Sequence, residues 1–109
     1  MGLFNRKGKM VANIERSNAF LKDFAIKIHG LMEFVREDED LKKELNVLKD
    51  KFQFTNPSPR KEAKVNEKNI MKLYASLKEL LKQDAYDSVQ VVRLIREIGL
   101  EIDEINAKR

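Results

Sequence analysis

His29 is the only histidine in the chain and the side chain best suited to move a proton near neutral pH. The nearest acid on its helical face is Glu33, four residues on. One His and one Glu at that spacing do not make a metal site without ligands from other helices, and a general base needs an orienting partner. A di-iron bundle would repeat a Glu-x-x-His pair on two helices, and that pattern is absent. The expectation is a surface or boundary histidine.

The other reactive groups are equally isolated. Ser17, Ser58, Ser76 and Ser88 all lie outside a Gly-x-Ser-x-Gly turn, and no glycine-rich phosphate loop occurs. The absence of cysteine removes disulfide, thiolate and zinc-knuckle chemistry. Glu37, Asp38, Glu39 and Asp40 are contiguous, whereas a calcium loop alternates its oxygen ligands around a glycine turn. They read instead as the acidic start of a helix. No catalytic residue, metal ligand, cofactor or small-molecule substrate is implied, and the expectation is a non-enzyme.

Charge is the remaining chemistry. The net charge is +4, with residues 1–10 at +3, residues 56–83 at +4 and residues 84–109 at −2. Arg6, Lys7, Lys9, Arg60, Lys61, Lys64, Lys68 and Lys72 are the candidate contacts to an anionic surface. Lys64, Lys68 and Lys72 recur at four-residue steps opposite Ile70 and Leu73. No aromatic residue interleaves with them to stack a base, so nucleic acid is the weaker partner and a solvated helix face the simpler reading. Glu97, Glu101 and Glu104 share one outer face of the last helix, where they are expected to meet either a basic partner or the lysine-rich helix.

The elements that carry these residues are helices. Only four Gly and two Pro interrupt 109 residues, and 37% of them are charged. Ile14, Leu21, Phe24, Ala25, Ile28, Leu31, Met32 and Val35 step by three and four. Gly30 interrupts that stripe, marking either a close helix contact or a bend. Leu41, Leu45, Leu48 and Phe52 form a second stripe, and Ile70, Leu73, Tyr74, Leu77, Leu80 and Leu81 a third. The fourth is Val89, Val92, Ile95, Ile98, Ile102 and Ile105. Asn56-Pro57-Ser58-Pro59 is the one firm break, and Ser58 and Asn66 are rival caps for the helix after it, with Asn66 preferred. Asp84, Asp87 and Ser88 offer caps for the last helix.

These stripes predict an all-α antiparallel four-helix bundle with helices at 11–37, 39–54, 66–83 and 85–107. The alternative is a two-helix hairpin, 11–54 and 66–107, that dimerises to cover its apolar faces, coiled-coil fashion. Residues 1–10 read as a flexible basic arm ahead of one helical domain, 11–109. No run of about 18 apolar residues exists, no apolar signal core follows Arg6, Lys7 and Lys9, and Arg6 stands where myristoylation needs Ser or Thr. The expected location is the cytoplasm, at most at the membrane periphery.

The functional expectation is a small helical module that binds another protein or itself. Its partner-facing apolar candidates are Phe20, Phe34, Val47, Phe54, Val91 and Leu94, which widen the stripes. The alternatives are peripheral membrane association through the basic N-terminal arm, or weak nucleic-acid binding through the lysine-rich third helix.

Overall fold

The computed structural model describes residues 2–108; of the side chains, those of residues 2–7 and 9 fall outside the description. Four α-helices follow one another: α1 Gly2–Gly30, α2 Glu39–Phe54, α3 Ala63–Leu81 and α4 Ser88–Ala107, with a 3₁₀ turn at Leu31–Val35 after α1. They pack as an antiparallel four-helix bundle in which α1 lies beside α2, α2 beside α4 and α4 beside α3. No strand occurs among the described residues. The two junctions where an uninterrupted hairpin would run straight both turn, which excludes the two-helix alternative.

Each turn has a local cause. At Gly30 the backbone stays helical (φ −61°, ψ −26°) but the ladder tightens to 3₁₀. A Cβ added to Gly30 would meet nothing within 4 Å, so no close helix contact explains the residue, and the ladder change there is the event it marks. The amide of Asp38 then bonds to the Val35 carbonyl at 3.0 Å, and its carboxylate accepts the Leu41 amide at 3.1 Å to open α2. Asp87 caps α4 in the same way, accepting the Val89 amide at 2.9 Å. Hence α4 starts at Ser88 rather than 85, and α3 ends at Leu81 rather than 83.

Helix α3 begins at Ala63, three residues before the expected start, and neither Ser58 nor Asn66 caps it. Burial decides this. Ala63, Asn66, Glu67 and Ile70 form one buried helical face, and leaving 63–65 as loop would pull Ala63 out of the core. Helix α1 likewise begins at Gly2, not 11. No proline opposes that extension, and lengthening an existing helix gains one hydrogen bond per residue without a new nucleus.

The core runs the length of the bundle. Leu21, Phe24, Ile28, Leu31 and Val35 meet Leu41, Leu45, Leu48 and Phe52 from α2, Ile70, Leu77 and Leu81 from α3, and the isoleucines of α4. Phe24 is an aromatic hub, with ring centroids 4.5 Å from Phe20, 5.7 Å from Phe52 and 5.4 Å from Tyr74, the last edge-on. In α4 the buried row is Val91, Ile95, Ile98, Ile102 and Ile105, stepping 4-3-4-3. The expected row beginning at Val89 and Val92 is out of phase at its start: Val89 is 76% exposed and Val91 is fully buried.

Candidate functional site

Three regions hold the residues that could meet a partner. The first is a polar network at the end of the bundle where α1 meets the loop 55–62, the start of α3 and the end of α4. The Asn66 carboxamide is its hub. It donates to Glu101 at 2.8 Å and to Glu104, and its oxygen accepts the Lys108 ammonium at 2.6 Å. Carboxylates only accept and an ammonium only donates, so these partners fix which end of the amide is which. Glu67 faces Arg16 at 3.2 Å, and Arg16 also donates to the Asn13 oxygen at 2.7 Å. Asn13 in turn donates to the Pro59 carbonyl at 3.0 Å.

Buried Ser17 accepts the Ser58 amide at 2.9 Å, while the Ser58 hydroxyl donates to the Lys108 carbonyl and accepts the Arg60 amide. Among the described residues no buried side-chain N or O lacks a partner. This network is satisfied within the fold, so it is architecture: it ties the proline loop to α1 and α4. The acids of α4 pair here with Asn66 and Asn69 rather than with the lysines of α3, and Glu97 pairs with Arg93 on its own helix.

The second region is the α2/α4 seam, along which two grooves adjoin at Arg96 and Leu100. Leu41, Glu44, Val47, Leu48 and Lys51 line it from α2, and Val89, Val92, Arg96, Gly99 and Leu100 from α4. Val47, Val89 and Leu100 are 62%, 76% and 65% exposed. Glu44 and Arg96 face each other across it at 3.9 Å, and Lys51 reaches Asp103 at 2.9 Å, passing over the Gly99 carbonyl.

The third region is the cationic face. Arg60, Lys61, Lys64, Lys68 and Lys72 are all exposed, and none makes an ion pair among the described residues. Val65 and Met71 lie exposed between them. The side chains of Arg6, Lys7 and Lys9 fall outside the described residues.

The partner-facing candidates divide. Val47 and Phe54 stand out in solvent and Phe34 is 38% exposed, but Val91 is core, and Phe20 and Leu94 pack against the core. The apolar surface that sequence reading missed includes Ile26, Val65, Met71, Val89 and Leu100. His29 is exposed beside Lys22, Ile26 and Lys49, with no acid lining that groove. Asp38 of the acidic run is a helix cap, and no group of three or more His, Asp or Glu among the described residues is placed to hold a metal ion.

Fold and surface together define an all-helical bundle with no strand among the described residues. Comparison of the chain with protein-family models, curated proteins and solved structures returns no match. No helix of the described residues is long and apolar enough to cross a membrane.

Proposed function

We propose that this chain is a non-enzymatic interaction module whose α2/α4 groove receives an amphipathic helix of a partner protein. The observation that carries this reading is the row of exposed Val47, Val89 and Leu100 along one seam between two helices. A groove of that kind takes a third helix by the apolar anchors at i, i+3 and i+7, while flanking charges set its direction. The Glu44–Arg96 and Lys51–Asp103 pairs bridge the seam here and are the charges an incoming helix would meet. The titratable groups elsewhere serve as caps, network members or separate surface charges, which suits binding better than proton transfer.

The test is selection of displayed helical peptides against the immobilised full chain, followed by chemical-shift mapping of the winners. Shifts confined to Val47, Val89, Val92, Leu100 and their neighbours support the reading. Failure to select any helical peptide, or shifts that map to another face, refutes it. Leu100→Asp should weaken the selected peptide about tenfold or more and leave the fold intact, because the side chain it replaces is already in water.

A further inference from the structure

We propose that the exposed edge of α1 around residues 10–14 and the cationic start of α3 together dock on an anionic lipid bilayer. This surface lies at the opposite end of the bundle from the Val89 end of the α2/α4 groove, and its argument is independent of any partner helix.

The geometry begins at Asn13 and Ser17, which bond to Pro59 and Ser58 where the proline loop closes the bundle. Residues 2–12 of α1 continue past that closure for about 16 Å at the helical rise. The long dimension of the molecule, 58 Å against 19 Å for the other two, includes this projection. Met10, Val11 and Ile14 are 51%, 52% and 38% exposed, and a Cβ on Gly8 would meet nothing within 4 Å. Ile14 and Met10 continue, at three- and four-residue steps, the α1 row that is buried as Ser17, Leu21, Phe24 and Ile28. The apolar face of α1 thus outruns the bundle that covers it.

Around Met10 and Val11 the helix turns an apolar edge to water. A bilayer interface covers such a face, and the charge at this end selects an anionic one. At the start of α3, residues 60–68 hold four Lys and Arg against two Glu, whereas residues 17–59 and 69–100 balance at twelve of each. Of those two acids, Glu67 is already paired with Arg16. Arg60, Lys61, Lys64 and Lys68 have no ion-pair partner among the described residues, and Val65 adds an exposed apolar side chain beside them. Apolar residues among unpaired cations suit lipid, with its anionic headgroups over hydrocarbon, better than a nucleic acid, which would call for stacking groups.

The experiment is flotation of the full chain with vesicles of 7:3 phosphatidylcholine and phosphatidylserine, against pure phosphatidylcholine, at low and high salt. The expected result is association with the anionic vesicles only, weakened by salt. Met10→Asp with Val11→Asp, and separately Lys61→Glu with Lys64→Glu, should each lower the partition about tenfold. All four positions are exposed, and circular dichroism and thermal melting verify the fold of each variant. Flotation equal on both vesicle types, no flotation, or flotation indifferent to both double variants overturns the proposal. So does a gel shift with mixed-sequence RNA in the absence of flotation, or a dimer that leaves anionic vesicles unbound.

Discussion

Asn66 on α3 accepts the ammonium of Lys108 at 2.6 Å, so a buried amide near the start of one helix holds the last turn of its neighbour. The same amide spends its two N–H groups on Glu101 and Glu104. The end of α4 is therefore held by polar pairing as well as by Ile102 and Ile105 beneath it.

Removing that amide should be costly in a graded way. Asn66→Ala leaves two carboxylates and an ammonium to find water, at a cost of about 1–3 kcal/mol. Asn66→Asp should cost more, because it replaces the donor between Glu101 and Glu104 with a third negative charge that only Lys108 opposes. Urea unfolding of both variants at pH 7 checks the order, and an Asn66→Asp protein as stable as Asn66→Ala contradicts it.

The phase of α4 is tested by two valines two residues apart. Val91→Ala empties part of a fully buried site and should cost about 2 kcal/mol. Val89→Ala, at a side chain 76% exposed, should change stability by less than about 0.5 kcal/mol. Denaturant midpoints at equal slope report the difference.

That pair also shows what the sequence made legible and what it hid. Four stripes, the break at Asn56 to Pro59 and the Asp38 cap were readable, because burial periodicity and proline sterics are local signals. The start of α4 was not, since Val89, Val91 and Val92 are chemically alike and only the facing helices choose among them. Ala63 was lost for a related reason: alanine is small enough to read as surface or core. Ser17 and Asn66 carried a signal that went unused. Each is a polar residue in phase with an apolar stripe, Ser17 between Ile14 and Leu21 and Asn66 four before Ile70, as a buried hydrogen-bonded group should be. The exposed row Val47, Val89 and Leu100 was beyond reach, because its members come from two helices whose seam only the packing defines.

Gly30 should be replaceable with profit to stability. Its backbone angles are those of a right-handed helix, and the space a methyl group would enter is empty. Gly30→Ala removes unfolded-chain freedom at no steric cost, so the thermal midpoint should rise, by an amount equivalent to about 0.5–1 kcal/mol. A fall would mean that the change from α to 3₁₀ at this residue requires glycine itself.

The last prediction concerns how the proline loop is fastened. The Ser58 amide is buried and its acceptor is a single side-chain oxygen, that of Ser17 across 41 residues of chain. Ser17→Ala deletes the acceptor without adding bulk, leaving the amide to bear the cost of an unmade bond, about 1–3 kcal/mol. Because the Ser58 hydroxyl also holds the Lys108 carbonyl, the loosening should spread from the loop to the end of α4. Native-state hydrogen exchange should therefore speed up at Ser58 and over the last turn of α4, with the amides around Phe24 and Leu45 following only the global change in stability. Exchange that accelerates uniformly would show instead that Ser17 supports the bundle as a whole and does not specifically anchor the loop.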